Sequence, residues 1–462
     1  MIKIENLALD TDGYKPSHKN LYPEGTSYLQ AHSMSRSEED REIVFYGLFP
    51  LIQALSKYRL TPAHVLEAAT IFNPYFGAQN MHAFDKEAWM NLAKLGHIPL
   101  HIEALPEGTV TTGRKPLFTI ESTHSEFFWL VEYMETFFSR VWYPTTVATN
   151  SYLIKRLLYS VLKTTEDSTD SINFMVHDFG SRGVTCREQA EIGGSAALTS
   201  FSGTDTIVAL KFINDHYGFP ANGVPSWGYS IPATEHSVMT IRGRDGERDA
   251  FIKLLKTYPK GVVACVSDSY DIKSFIEISY KDEEIRNLIL GREGVVVFRP
   301  DSGHNPTTIL NLFDMLYEGF GGYRASNGRK NLNDKVRIIL GDGVDRKKIA
   351  SILTTLIARE INISNLNYGS GGGLLQKFDR DTYKFAIKLN HAIVNGKGVD
   401  VYKEPMEWNE DNEYIKSFKF SHKGLIKDEK LKTVFDNGSL PNKSTFEEIR
   451  GRINESIFNT SS

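Results

Sequence analysis

Arg182 and Arg299 each stand among glycine and acidic residues, and His236 follows Glu235 directly. A guanidinium is a planar fork of donors that meets phosphate oxygens two at a time, so two such arginines can grip a pyrophosphate. Asp268 and Asp301 occupy similar clusters. Carboxylates beside a pyrophosphate either hold ribose hydroxyls or share a magnesium ion with the phosphates. Spacing alone names no metal site here. The run Ser370-Gly371-Gly372-Gly373 adds backbone that a ligand can approach closely, with amides free to face phosphate oxygens, and Gly341-Asp342-Gly343 is a second such turn. Taken singly, a surface ion pair explains either arginine and a flexible turn explains either glycine run.

The elements that must carry these residues follow a rhythm. Short apolar, β-branched runs recur at 172–176, 262–266, 295–298, 336–340 and 363–368, most of them followed by a helix-like stretch. That is the pattern of parallel strands joined by crossover helices. After the fourth run Asp345 is placed to cap a helix whose apolar residues, Ile349, Ile352, Leu353, Leu356 and Ile357, keep helical spacing. In a parallel barrel or open sheet, ligands gather at the carboxyl ends of strands, and each run ends in a polar cluster: 177–183, 267–271, 299–303, 341–345 and 369–373. One such cluster is an ordinary turn. Five of them, rich in Arg, Asp and Gly and gathered at one end of a sheet, point to a site.

Residues 1–148 lack this rhythm and mix extended with helical stretches, as an α+β domain does; 149–389 is the barrel segment, and 390–462 is expected to pack on the α+β domain. A chain of 462 residues with 41% hydrophobic and 24% charged composition can bury large cores. Its net charge of −4 provides no basic field for nucleic acid. Cys186 and Cys265 form neither a disulfide framework nor a zinc motif, which suits a reducing cytoplasm. No export signal opens the chain and no apolar stretch reaches membrane-spanning length, so a soluble cytoplasmic protein is expected. The absence of GxxxxGK[ST] and of GxGxxG after a first strand disfavours a P-loop NTPase and a dinucleotide-binding dehydrogenase.

The clusters also resemble, in order, those of the nicotinamide phosphoribosyltransferases. The strings are His177-Asp178-Phe179-Gly180-Ser181-Arg182-Gly183, Gly203-Thr204-Asp205-Thr206, Glu235-His236-Ser237, Ser267-Asp268-Ser269-Tyr270-Asp271, Arg299-Pro300-Asp301-Ser302-Gly303, Gly341-Asp342-Gly343-Val344-Asp345 and 369–377. Further likeness at Asp12-Gly13-Tyr14-Lys15, 44–48 and 142–150 carries the resemblance nearly end to end. It implies an irregular parallel α/β barrel, an α+β domain built from the N- and C-terminal segments, and a homodimer whose active sites lie between subunits. The implied reaction joins nicotinamide to phosphoribosyl pyrophosphate, with Mg2+ as cofactor and ATP as a stimulant that phosphorylates His236.

Carried onto this sequence, the resemblance puts Phe179 and, from the partner subunit, Tyr14 on the two faces of the pyridine ring, and Asp205 at its carboxamide. Arg182, His236 and Arg299 would face the pyrophosphate, with Asp301 at the ribose. Gly341, Asp342, Gly371 and Gly372 would line the nucleotide, joined by Arg36, Arg380 and Lys388 as basic groups at or across the interface. Asp268 and Asp301 are the candidate metal ligands, and His236, Arg299 and Asp301 the candidate catalytic groups. A carboxylate at 205 facing the carboxylate of nicotinate at about 4 Å would cost about 4 kcal/mol at an effective dielectric near 20, whereas an amide N–H gains a charge-assisted bond. Ser181 stands where the vertebrate enzyme has Tyr, Ala264 stands where a Ser is typical, and the segment between Arg36 and Val44 is shorter than in vertebrate relatives. The alternatives are a nicotinate phosphoribosyltransferase, which Asp205 disfavours, and a barrel aldolase or isomerase of a sugar phosphate, for which no strand-end lysine or carboxylate base stands out. A binding protein without activity is a third, opposed by the intact set Arg182, Asp205, His236, Arg299 and Asp301.

Overall fold

The computed structural model describes residues 2–221, 223–302, 305–341, 343–408, 413–416 and 420–459. They divide into two compact units, one of Met1–Thr149, Phe212–Gly218 and Phe378–Ile453, the other of Asn150–Lys211, Phe219–Lys377 and Asn454–Ser462.

The second unit is built on a parallel six-stranded sheet whose neighbours run Gly203–Thr204, Val176–Asp178, Leu366–Ser370, Val336–Leu340, Glu293–Arg299 and Lys260–Val266. The last strand in sequence lies beside the first, with Tyr368 paired to Val176 and Ser370 to Asp178. Two single bridges then join the edges: Tyr229 pairs with Gly203 and Ala233 with Ala264. The segment between them therefore closes the sheet into a barrel. Nothing in its sequence announces a strand, because Pro232 lacks an N–H and each edge takes only one bridge.

The barrel is filled rather than hollow. Ala264, Val297 and Ile339 are buried together, with Phe179, Ile231 and Val295 packed on them, and Ala264 and Val297 are direct partners in the ladder. Small and branched side chains from adjacent strands form such a layer because alternate residues point inward. Helices follow the strands at Ile272–Lys281, Pro306–Phe320 and Arg346–Ala358. The last begins where expected: the Asp345 side chain accepts from Lys348 N at 2.9 Å.

Two of the expected strands are displaced. The runs at 172–176 and 363–368 open as short 3-10 turns, Asp170–Phe174 and Ile363–Asn365, and pairing starts only at Val176 and Leu366. A ladder forms where a partner strand lies alongside, and here that shifts pairing into Asp178 and Ser370.

In the first unit both ends of the chain share one antiparallel sheet, ordered Lys397–Asp400, Phe385–Val394, Thr26–Ser35, Pro116–Ser122, Leu100–Ala104 and Lys432–Asp436. The central pair runs from Thr26 opposite Val394 to Ser35 opposite Phe385, with register shifts between Thr26 and Tyr28 and between Gln30 and Ala31. The helices Phe49–Lys57, Leu130–Tyr133 and Glu135–Ser139 pack on it, and this unit is the α+β domain.

Candidate active site

Strand ends of the barrel converge on a cleft of about 610 Å³ lined by Phe179 to Gly183, Asp205, Arg299, Asp301, Gly341, Gly371, Gly372 and Gln376. Phe179 follows the strand Val176–Asp178, and its N–H donates to Ser370 O at 3.0 Å. A Cβ at Gly369 would collide with the Phe179 ring, so only glycine lets that ring lie against the neighbouring strand. The Arg299 guanidinium stands 6.0 Å from the centre of the same ring.

Asp205 lies at the end of the short strand Gly203–Thr204, held by its own N–H donating to Asp178 O at 2.9 Å. Its Oδ1 is 2.9 Å from His177 Nε2 and accepts from Ser230 Oγ. Oδ2 takes no hydrogen bond among the described residues. Partial burial works against the charged form, yet the hydrogen bonds from His177 and Ser230 and the charges of His177 and Arg299 outweigh it and hold the carboxyl below the usual range. Asp178, two residues from Gly180, is the opposite case: almost fully buried, its carboxyl is pushed up by desolvation, although Gly180 N donates to it at 2.7 Å. It braces the turn from inside and does not line the cleft.

At the next strand ends Arg299 and Asp301 form an ion pair, with Nη2 donating to Oδ2 at 3.4 Å and Nε 3.1 Å from Oδ1 outside hydrogen-bond geometry. A Cβ at Gly341 would strike Asp301 Oδ1, so the loop after Val336–Leu340 reaches the carboxylate only because residue 341 has no side chain. Asp268 Oδ2 accepts from Asp301 N at 3.0 Å, Ser302 N at 2.8 Å and Ser302 Oγ at 2.6 Å. Its Oδ1 is buried without a hydrogen-bond partner among the described residues. His236 Nε2 lies 3.8 Å from that oxygen and 3.5 Å from Asp301 Oδ2, while Nδ1 is 3.1 Å from Ser269 Oγ.

A buried carboxylate oxygen left unpaired costs free energy unless something completes it. With Asp301 beside it, the pair offers hard oxygen donors of the kind Mg2+ takes alongside water and phosphate. Among the described residues no group of three His, Cys, Asp or Glu side chains gathers as a metal cage, so phosphate and water would have to supply the remaining ligands.

The structure thus brings Phe179, Arg182, Asp205, Arg299, Asp301, Gly341, Gly371 and Gly372 to one cleft, with Asp268 and His236 bonded into or close beside its acidic wall. Arg182 makes no ion pair among the described residues. Asp342 and Gly303 lie outside the described residues. Tyr14, Arg36, Arg380 and Lys388 belong to the other unit. There Tyr14 is 56% exposed, Arg36 is half-buried with its N–H on Lys384 O, Arg380 is exposed at the start of a turn capped by Asp379, and Lys388 pairs with Glu135 at 3.1 Å. Sequence reasoning missed Gln376, whose amide donates to Gly180 O at 3.0 Å and joins two of the loops. Its place one helical turn after Gly372 was the available signal. It also missed His177 and Ser230 as partners of Asp205; the first sits in a cluster already marked, the second in a segment with no pattern.

The sequence pattern of the nicotinate phosphoribosyltransferase (NAPRTase) family matches residues 174–439, and that of the nicotinamide phosphoribosyltransferase N-terminal domain matches 6–102. A protein named nicotinamide phosphoribosyltransferase from Xanthomonas campestris is 36% identical over 97% of this chain and 98% of its own length. Another of that name from Acinetobacter baylyi is 34% identical over 96% of both chains. Among solved structures, nicotinate-nucleotide pyrophosphorylase from Pyrococcus furiosus aligns with a TM-score of 0.57 at 16% identity, covering 99% of this chain and 98% of its own. Human nicotinic acid phosphoribosyltransferase aligns with a TM-score of 0.56 at 16% identity, covering 96% and 93%. At that identity these two establish the shared fold.

Proposed function

The chain belongs to the nicotinate phosphoribosyltransferase family, and from that membership we propose that it transfers the 5-phosphoribosyl group of phosphoribosyl pyrophosphate to nicotinamide, giving nicotinamide mononucleotide and pyrophosphate for NAD salvage. The observation that carries the choice of base is Asp205, a carboxylate held ionised on the cleft wall with Oδ2 open to a donor. An amide supplies that donor; the carboxylate of nicotinate meets it with like charge.

The ring of nicotinamide rests on Phe179, with Tyr14 of the partner subunit on its other face in a homodimer, and its N–H donates to Asp205. The ring nitrogen attacks C1 of the ribose as the C1–O bond to pyrophosphate breaks, and the bonding pair leaves on the pyrophosphate. The ring gains a positive charge, which facing aromatic surfaces stabilise by roughly 0.5–2 kcal/mol. Arg182 and Arg299 receive the charge that develops on the leaving group, an interaction stronger in the transition state than in the ground state and therefore one that lowers the barrier. Arg299 is ion-paired with Asp301, and Asp301 would take a ribose hydroxyl. Gly341, Gly371 and Gly372 leave room for the 5-phosphate, and Arg36, Arg380 and Lys388 are the basic groups a second subunit would add.

Asp268 and Asp301 would hold Mg2+ with pyrophosphate oxygens; when bound it neutralises leaving-group charge. His236 is half exposed beside this wall and would accept the γ-phosphoryl group of ATP on a ring nitrogen, releasing ADP. His236→Ala is expected to lose stimulation by ATP while keeping basal turnover; stimulation that survives the change refutes the role. Unpaired Cys186 and Cys265, and described helices none of which is long and apolar enough to cross a membrane, are in keeping with a cytoplasmic enzyme.

The test is incubation with phosphoribosyl pyrophosphate and nicotinamide, following products by mass and pyrophosphate release. One pyrophosphate per mononucleotide is expected. No mononucleotide from nicotinamide would remove the proposal.

A further inference from the structure

Asp205 is not positioned by its own backbone alone. The side chains of His177 and Ser230 both meet its Oδ1, His177 Nε2 at 2.9 Å, and His177 is only 13% exposed. An ionised carboxylate can only accept, so His177 must carry its proton on Nε2. Two donors on one oxygen stop the carboxylate from turning, which leaves Oδ2 as the oxygen presented to a ligand. The geometry is set by the barrel, where His177 and Gly203 are ladder partners and Asp205 follows two residues later. The same imidazole also leans on Phe179, with ring centres 4.8 Å apart and planes tilted by 44°.

We propose that His177, seconded by Ser230, is a positioning residue that sets the choice between amide and acid bases by fixing which oxygen of Asp205 meets the substrate. This rests on the nicotinamide reading above. Burial alone would push Asp205 toward its neutral form, and the bonds from His177 and Ser230, together with the charges of His177 and Arg299, reverse that tendency. A protonated Asp205 could donate to the carboxylate of nicotinate, and a rotated one would no longer hold Oδ2 against it, so loss of the clamp relaxes selectivity rather than abolishing turnover.

The two tasks of His177 can be separated by substitution. His177→Phe keeps a ring against Phe179 and removes the donor; His177→Gln keeps a donor and removes the ring; Ser230→Ala removes the second donor. For each, kcat/KM is measured with nicotinamide and with nicotinate, alongside the melting temperature. In His177→Phe the ratio of the two kcat/KM values is expected to fall by about tenfold or more, the scale of a lost hydrogen bond to a charged group. Ser230→Ala should lower it by a smaller factor. His177→Gln should keep the ratio within about threefold of the original, with KM raised for both bases as the aromatic wall loosens. A ratio unchanged in His177→Phe overturns the proposal, and if that variant fails to fold, an unchanged ratio in Ser230→Ala does so. A parent enzyme that converts neither base instead defeats the nicotinamide reading, an outcome visible before any variant is made.

Discussion

Asp205→Asn removes the like-charge penalty against nicotinate while keeping the side chain's size. At close approach that penalty would be about 4 kcal/mol at an effective dielectric near 20. The Asp205 side chain is 47% exposed, so solvent screening leaves something on the order of 1–2 kcal/mol, or about tenfold in selectivity. Competition between the two bases should show the variant's preference for nicotinamide reduced by that factor; an unaltered preference assigns the choice elsewhere. The depressed carboxyl also sets a pH dependence. The interactions that favour ionised Asp205 are present above the ordinary unfolded carboxylate pKa and are lost as pH falls through the lower folded value. Nicotinamide kcat/KM, wherever the fold is intact, should therefore not lose this group's contribution until below about pH 4. An acid limb traced to Asp205 at a higher pH contradicts the geometry. The residue itself was marked in the sequence by its string, but not its partners. His177 and Asp205 stand 28 positions apart and meet only because their strands pair.

Among the elements, the helix Arg346–Ala358 was the most legible, since its Asp cap and apolar spacing are local signals. Asp345→Ala should lower unfolding stability by about 1 kcal/mol, the usual worth of a cap, in a denaturant titration. A loss of several kcal/mol would mean that the loop depends on Asp345 for more than capping. Gly369→Ala belongs to the same scale. Its added methyl meets the Phe179 ring and also the Leu340 carbonyl oxygen at 2.7 Å, so KM for nicotinamide should rise together with some loss of stability; unchanged KM would show that the ring has room to move. The closing segment with Tyr229 and Ala233 was illegible for the converse reason. Each end is held by one long-range bridge, and no periodicity betrays such a contact. The early 3-10 turns misled in the same way, because β-branched residues mark an extended tendency and only a neighbouring strand decides where pairing begins.

For the whole molecule, the barrel rhythm and the shared sheet of the two chain ends follow from sequence pattern and family likeness together, whereas the expected pairing of subunits rests on the likeness alone. Tyr14 and Arg299 provide the test. If each active site draws Tyr14 from one subunit and Arg299 from the other, mixing inactive Tyr14→Ala and Arg299→Ala subunits restores about one quarter of wild-type activity in randomly paired dimers. No recovery after subunit exchange, or full activity in a strictly monomeric enzyme, removes the shared site. The most direct measurement of the central claim is a competition in one vessel, with equimolar nicotinamide and nicotinate offered to the purified enzyme with limiting phosphoribosyl pyrophosphate. Nicotinamide mononucleotide should dominate by tenfold or more, on the order set by the screened charge of Asp205; an excess of nicotinate mononucleotide would contradict the account.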